Sequence, residues 1–216
     1  MMGNVKTGLL AVAACVALSG CQSAYYGAWE KLGVEKRDIL VDRVENAKES
    51  QEEAQEQFAD ALEEFSALIN FNGGELEDVY DELNGEFQDS QAAAADVTAR
   101  IDKVESVAEA LFSEWEDELE KYDSDKLRRS SAEKLRATRR QYETMIKAMR
   151  KAESRMEPVL TALQDNVLYL KHNLNASAVG ALEGELKTIQ QDVSRLINEM
   201  KASVAESDAF IRTMKN

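Results

Sequence analysis

The stretch that decides the fold of this 216-residue chain is LEDVYDELNGEFQDSQAAAADVTARIDKVESVAEALFSEW, residues 76–115. Apolar or small residues recur in it at alternating steps of three and four, which places them on one stripe of an α-helix. The stripe consists of Leu76, Tyr80, Leu83, Phe87, Ser90, Ala94, Val97, Ile101, Val104, Ala108, Leu111 and Trp115. Its phase passes through Gly85 unbroken, and Gly costs a helix only about 1 kcal/mol relative to Ala. One helix is therefore predicted, with a break at Gly85 as the alternative.

The same spacing covers most of the chain on either side of this stretch. An earlier register runs from Leu40 to Leu68 and ends at the glycines of residues 72–74, which supply the positive φ that closes helices. A later register has apolar residues at steps of seven, and Pro158 within it predicts a kink. Its members are Leu135, Tyr142, Met149, Met156, Leu163 and Leu170. With a last register after residue 177, the predicted helices span about 34–71, 75–122, 125–173 and 178–214.

Short polar segments separate the predicted helices. Asp123-Ser124-Asp125 combines poor helix formers with capping ability and predicts a tight turn, although a continuous helix across it is the alternative. Residues 173–177 predict the next turn, with Ser177 as a candidate cap. Turns this short make consecutive helices antiparallel neighbours. The predicted fold is all-α: an elongated antiparallel helical bundle or coiled coil of about four long helices. The same heptads could also pair between chains.

The first 20 residues have the features of a bacterial lipoprotein signal peptide. Lys6 is their only charged residue, and the apolar run from residue 9 to residue 18 is shorter than the roughly 20 residues that span a bilayer. Leu18-Ser19-Gly20-Cys21 follows and resembles the lipobox, in which a signal peptidase cuts before the cysteine. Cleavage between Gly20 and Cys21 is expected, with an S-diacylglycerol and an N-acyl chain on Cys21. An ordinary secretory signal is the alternative.

The residues after Cys21 suggest where the lipid is inserted. In the lipoprotein sorting rule an Asp after the cysteine favours the inner membrane, so Gln22 implies the inner leaflet of the outer membrane, facing the periplasm. Residues 21–33 are expected to form a lipidated tether, and residues 34–216 the helical bundle domain. Tyr25, Tyr26 and Trp29 lie in this tether. They are expected either to contact headgroups or to begin the core.

Charge is both acidic overall and segregated along the chain. There are 41 acidic and 26 basic residues, a net charge of −15 that becomes −16 when Lys6 is lost with the signal peptide. This balance excludes nucleic-acid binding through net charge. Residues 45–89 contain 15 acidic residues and one basic residue, whereas residues 127–156 contain ten basic and three acidic. We expect the first and third helices to attract each other across the bundle. The alternative is a basic strip exposed to an acidic ligand or phosphate headgroups.

The sequence lacks the motifs of several common active sites. The single histidine, His172, has Tyr169 three residues before it, so the Glu-x-x-His motif of di-iron bundles does not occur. Neither Gly-x-Ser-x-Gly nor a Gly-rich phosphate loop is present. The acidic residues of 75–89 lack EF-hand spacing and are interpreted as a solvated helix face. His172 is expected to make a capping or polar contact. The protein is predicted not to be an enzyme and to need no metal or cofactor beyond the covalent lipid on Cys21.

Four segments resemble a family of bacterial helical lipoproteins that carry a domain of unknown function. They are Lys36-Arg37-Asp38-Ile39-Leu40, Gly73-Gly74-Glu75-Leu76, Leu111-Phe112-Ser113-Glu114-Trp115-Glu116 and Leu170-Lys171-His172-Asn173-Leu174-Asn175-Ala176. The resemblance extends over nearly the whole mature chain. It implies a Gram-negative envelope protein and brings no established activity with it.

Two functional hypotheses follow from these features. The first is a non-enzymatic interaction or scaffold module of the envelope, bound to the membrane through its lipid, with an envelope protein or a second copy as partner and no nucleic acid. The second is a lipid- or amphiphile-handling protein that opens at a membrane surface. Its hinges would be Gly85, Pro158 and the polar interruptions Ser203 and Ser207.

Overall fold

The computed structural model describes residues 35–69 and 76–215, which form five helical segments. The segments are α1 (Lys36–Ile69), α2 (Leu76–Leu119), α3 (Asp125–Glu153), α4 (Met156–Lys171) and α5 (Ala176–Lys215). No strand occurs in these two ranges. The all-α bundle of four long helices is confirmed, with α3 and α4 together taking the place of the third. The predicted signal peptide, Cys21, Gln22, the tether and residues 72–74 lie outside the described residues.

The stripe on α2 forms the centre of the core. Every stripe position from Leu83 to Leu111 is buried, and Leu76 and Trp115 near its ends are partly buried against the same core. The other helices contribute large buried side chains, which include Phe58, Phe65, Met145, Met149 and Phe210. Each such side chain stabilises the fold by roughly 1.5–3 kcal/mol relative to its exposed state. The apolar spacing in the sequence therefore corresponds to one continuous core along the bundle.

The helices pack in the cyclic order of an up-down-up-down bundle. α1 packs on α2 and α5, and α3 and α4 each pack on the same two helices. Lys36 Nζ lies 3.0 Å from Glu114 Oε1, so the beginning of α1 meets the final third of α2. Lys48 Nζ lies 3.1 Å from Asp208 Oδ1 and joins α1 to α5 in the same antiparallel sense. As a result α1 lies diagonally opposite α3.

The predicted attraction between the first and third helices is wrong. Short turns make helices that follow one another in sequence neighbours in space, so the first and third helices take diagonal corners. The cations of α3 instead pair with α2 and α5. The pairs are Arg139 with Glu116 at 2.8 Å, Arg150 with Asp102 at 2.6 Å, and Lys151 with Glu199 at 2.7 Å.

The third long helix is interrupted at residues 154–155, just before Pro158. α3 ends at Glu153 and α4 begins at Met156, which places Pro158 in the first turn of α4. The backbone N–H groups of a first turn have no partner within their own helix, so a proline there costs no hydrogen bond. The backbone N–H of Ser154 donates to Arg150 O at 3.0 Å and closes α3. The predicted continuous helix over 125–173 is corrected to two segments.

The turn between α2 and α3 is confirmed, and its cap is a serine. α2 ends at Leu119, and the Ser124 hydroxyl accepts a hydrogen bond from the Leu127 N–H at 3.4 Å. The predicted cap at Ser177 is wrong, because α5 begins at Ala176 and Ser177 already lies in its first turn. Here the turn is closed by the Asn173 N–H, which donates to Leu170 O at 2.9 Å.

α2 continues through Gly85 without a break. The helix spans 44 residues, which corresponds to about 66 Å at a rise of 1.5 Å per residue. A Cβ atom added at Gly85 would meet no atom within 4 Å, so no close approach requires a glycine there. Gly85 is a local weak point of a continuous helix, as the unbroken phase of the stripe indicates.

Candidate functional site

His172, the single histidine, lies at the end of α4. It occupies the C-cap position, and its backbone N–H donates to Leu170 O. Its side chain is exposed, and Tyr169, three residues earlier, is exposed as well. The structure thus places His172 at a helix end, where a cation is favoured by the helix dipole.

The acidic residues at the beginning of α2 form a solvated surface. Of the six that are described, Glu77, Asp78, Asp81, Glu82 and Asp89 are exposed, and Glu86 is half-buried. Glu86 Oε2 accepts a hydrogen bond from Gln57 Nε2 at 2.6 Å. Within residues 35–69 and 76–215 no three His, Cys, Asp or Glu side chains come together in a way that could hold a metal ion.

Tyr142 is the tyrosine with the most strongly perturbed acidity in the described bundle. Its ring meets Phe112 edge to face at 5.4 Å between centroids and Phe210 at 6.3 Å, which ties α3 to α2 and α5. Burial, with a smaller contribution from the Glu105 carboxylate, raises the pKa of Tyr142 to about 12. A general base needs a pKa near the working pH. The pKa of Tyr142 is instead shifted away from neutral pH, so Tyr142 is suited to packing and not to proton transfer.

Arg150 gathers three carboxylates at the contact of α3 with α2. Its guanidinium donates to Glu105 and to Asp102 Oδ1, the latter at 2.6 Å, and to Glu153 Oε2 at 2.8 Å. The hydrogen bond to Glu105 raises the pKa of Arg150 further above its usual range. All four charges are partly exposed, and exposed pairs stabilise proteins weakly. We infer that this cluster helps to set the position of α3 relative to α2.

A polar layer crosses the middle of the core. Ser203 Oγ donates to Gln51 Oε1 at 2.8 Å, and Ser207 Oγ donates to the backbone oxygen of Ser203 at the same distance. Gln51, Ser90, Ser203 and Ser207 are fully buried. Among the described residues, Gln51 Nε2 and Ser90 Oγ have no hydrogen-bond partner. A buried polar group without a partner costs about 1–3 kcal/mol, so this layer is less stable than an apolar one.

The outer side of α3 carries exposed cations that the bundle does not neutralise. Lys126, Arg129, Arg136, Arg140 and Lys147 follow helical spacing on the side away from the core, and all five are exposed. None of them is in an ion pair with another described residue. We call these five residues the cationic strip. Two acidic residues, Glu133 and Glu143, lie on the same face, so the strip is positive on balance.

The outer side of α1 carries the opposite charge. Its exposed acidic residues follow helical spacing with no cation among them, and we call them the anionic strip. They are Glu49, Glu52, Glu53, Glu56, Asp60 and Glu63. Because α1 and α3 occupy diagonal corners, the two strips face opposite sides of the bundle.

Repulsion within the acidic region is visible at Glu64, beside the anionic strip. Burial raises the pKa of Glu64, and the carboxylates of Glu82, Glu86, Glu63 and Asp60 raise it further. The charged form of Glu64 is therefore less favourable in the folded protein than in the unfolded chain. The acidic region costs the fold some stability at neutral pH.

A cavity of about 550 Å³ opens where α1 begins. Its walls combine apolar side chains with charged ones: Leu111, Trp115, Met214, Lys36, Glu114 and Lys134. Trp115 Nε1 donates to Ser131 Oγ at 2.8 Å, which fixes the ring between α2 and α3. The volume is within the range of small-molecule sites, and the lining would suit an amphiphilic molecule.

The segregated charge and the polar interruptions Ser203 and Ser207 were predicted from the sequence, whereas the contacts of the polar layer, the cavity and the diagonal position of the strips were not. Gln51 and Ser90 occupy positions that the spacing marks as core, so the spacing did not show that Gln51 would meet Ser203. The cavity had no sequence signal, because residues from four helices line it. The diagonal position of the strips could have been found from the short turns.

Comparison with known families gives one match. A family model described as "Protein of unknown function (DUF2959)" matches residues 25–214. No curated protein matches the chain. None of the helices in the described ranges combines the length and apolar character needed to cross a membrane.

We expect Glu64→Gln to stabilise the protein at neutral pH. The substitution removes a carboxylate whose pKa is raised in the folded state. The cost of charging this carboxylate is fully present above its folded-state pKa, and it disappears as the pH falls below its unfolded-state pKa near 4.5. Urea unfolding followed by circular dichroism at 222 nm should give a higher midpoint for the variant at pH 7.5 and equal midpoints near pH 4. Glu53→Gln, on the exposed anionic strip, is the control and should show a smaller gain. A gain at Glu64 that does not depend on pH would contradict this account.

Proposed function

Since the chain belongs to DUF2959, a protein family of unknown function, we propose its function from its own residues. We propose that it is a lipoprotein, anchored through Cys21 in the inner leaflet of the outer membrane, and that it acts in the periplasm as a non-enzymatic interaction or scaffold module. The observation that carries the interaction role is the pair of oppositely charged strips on opposite sides of one rigid bundle.

The proposed anchor is supported by the sequence before the described residues. The single charge of Lys6, the ten-residue apolar run and the lipobox ending at Cys21 occur in the order that lipoprotein processing requires. A diacylglycerol together with an N-acyl chain makes anchoring stable, whereas one acyl chain is marginal. Gln22 supports the outer membrane over the inner one under the sorting rule.

The interaction role is supported by the anionic strip. Its six carboxylates lie on one face of α1, and none has an ion-pair partner among the described residues. Like charges at steps of three and four destabilise a helix slightly, so the strip does not serve the stability of α1. A partner with a basic surface would complement it. Arg100 and Lys48 are directed to other contacts on the flanks of α1.

A second function is favoured by the cavity beside Trp115. A lipid- or amphiphile-handling protein needs space for an apolar chain next to polar groups, and this cavity offers both. The polar layer at Gln51 and Ser203 and the interruption before Pro158 are the places where such a bundle would open most easily. This is the alternative to the interaction module.

Cys21→Ser should release the protein from membranes. The serine hydroxyl cannot form the thioether, so the variant should appear in the soluble periplasmic fraction and carry no labelled palmitate. Ser23→Ala, two residues further on, is the control and should stay in the membrane fraction. A labelled acyl chain on the Cys21→Ser variant would refute the proposed anchor.

The anionic strip should contact a partner in the envelope. With a photoreactive benzoylphenylalanine in place of Glu56, irradiation of cells should give discrete cross-linked products, because Glu56 lies in the middle of the strip. The same residue in place of the exposed Lys187 on α5 is the control and should give none. The products should disappear when Glu52→Gln and Asp60→Asn are added. No product at position 56, or the same products at 187, would count against the interaction role.

The bundle should remain closed at a membrane surface. For the acylated protein in vesicles, we expect deuterium uptake by the buried part of α2, from Ile101 to Leu111, to match that of the protein in vesicle-free detergent. Deuterium uptake in the exposed turn at 120–124 is the internal reference, because it reports on membrane binding that occurs without opening of the bundle. A large rise in uptake along α2 would favour the amphiphile-handling alternative.

A further inference from the structure

We infer that the cationic strip of α3 lies against the anionic phospholipid headgroups of the membrane in which the protein is anchored. The partner is therefore a lipid surface, recognised by charge, and the bundle lies on its side with α3 towards the bilayer. The argument rests on the proposed anchor, because the anchor is what brings α3 to the membrane.

The first step is the place where the chain leaves the bundle. Lys36, at the beginning of α1, pairs with Glu114 at 3.0 Å, and Arg139 of α3 pairs with Glu116 at 2.8 Å. Glu114 and Glu116 are two residues apart on α2, so the beginning of α1 and the middle of the cationic strip lie at the same level of the bundle. The chain before α1 therefore leaves the bundle at the level of the strip, from the diagonally opposite helix.

The second step is the length of the chain before α1. Fourteen residues lie between Cys21 and Lys36, and the fifteen steps from one to the other span at most about 50 Å when the chain is fully extended. The cationic strip extends over 22 residues, from Lys126 to Lys147, or about 32 Å along the helix. A lipid on Cys21 thus keeps the whole strip within reach of the bilayer surface.

The third step is the composition of the adjacent turn. Tyr122 in this turn and Leu127 next to Lys126 are 40% and 57% exposed, and the exposed acidic residues Asp123 and Asp125 lie between them in the sequence. Tyrosine favours the headgroup region, and juxtaposed cations are attracted to anionic lipids by about 1 kcal/mol for each Lys or Arg near the surface. Exposed apolar tips next to unpaired cations are typical of surfaces that bind membranes.

The fourth step concerns the net charge of −16. A protein with this net charge would by itself be repelled by an anionic membrane. Axes of packed helices are about 8–10 Å apart, so the anionic strip, pointing away on the diagonal helix, lies roughly 20 Å from a bilayer that α3 contacts. The Debye length is about 8 Å at physiological ionic strength. The acidic face is therefore largely screened from the membrane, whereas the cations of α3 are within a Debye length of it.

The test uses the mature chain with Cys21→Ser, so that its outcome does not depend on the anchor. Sedimentation with sucrose-loaded vesicles of 70:30 phosphatidylethanolamine and phosphatidylglycerol should show binding in low salt that is lost as salt increases. Neutral phosphatidylcholine vesicles should bind at least about tenfold less. Arg136→Glu with Arg140→Glu should weaken binding to the anionic vesicles by about tenfold or more.

The matched control is Lys187→Glu with Lys201→Glu, two exposed lysines on α5 whose reversal changes the net charge equally. It should leave binding close to that of the parent chain. Equal losses in the two variants would show a net-charge effect and overturn the inference, as would equal binding to neutral vesicles or none at all. Stronger binding to isolated peptidoglycan, lost with Arg136→Glu and Arg140→Glu, would assign the strip to an acidic polymer and overturn it too. The anchor is judged separately, by acylation of Cys21.

Discussion

The apolar stripe of α2 is the constraint on which the rest of the structure depends. Because α2 packs on α1, α3 and α4, its buried positions from Leu83 to Leu111 fix the levels of three other segments. Short turns then leave one cyclic order of helices, and that order places α1 opposite α3. The charge polarity of the surface follows from these two facts, since each helix brings its own outer face to a fixed side of the bundle.

The polar layer at Gln51 and Ser203 interrupts the apolar core. Removing Gln51 alone would leave the Ser203 hydroxyl without its acceptor, so each residue makes the other harder to replace. Polar residues at core positions can specify register at a cost in stability. In a bundle whose heptads would otherwise tolerate a shift of seven residues, this buried hydrogen bond between α1 and α5 favours one alignment. The unpartnered Gln51 Nε2 is a further part of that cost.

The sequence was sufficient to predict the fold, but it was not sufficient to predict the side-chain contacts between helices. The spacing of Leu83 through Leu111 predicts the buried face of α2, and Ser124 marks the turn before α3, because both are properties of one segment. The sequence predicted a kink at Pro158, whereas the interruption lies a few residues before it. The position could not be predicted more closely because a proline is tolerated in a first turn as well as at a kink. The partners of Arg139 and Arg150 could not be predicted, because helical periodicity shows which face is polar and leaves the neighbouring helix undetermined.

The distribution of charge is the part of the surface that the fold does not require. Alternating signs along α1 and α3 would give favourable pairs at steps of three and four, each worth a few tenths of a kcal/mol. Instead α1 gathers carboxylates on its outer face and α3 gathers cations. Beside the acidic face, burial and then the neighbouring carboxylates raise the pKa of Glu64. The residues of the two strips form no ion pair with another described residue, so we expect these charges to serve contacts outside the bundle. Under the proposed anchor, we expect the cationic strip to meet the lipid headgroups and the anionic strip to remain available to a periplasmic partner.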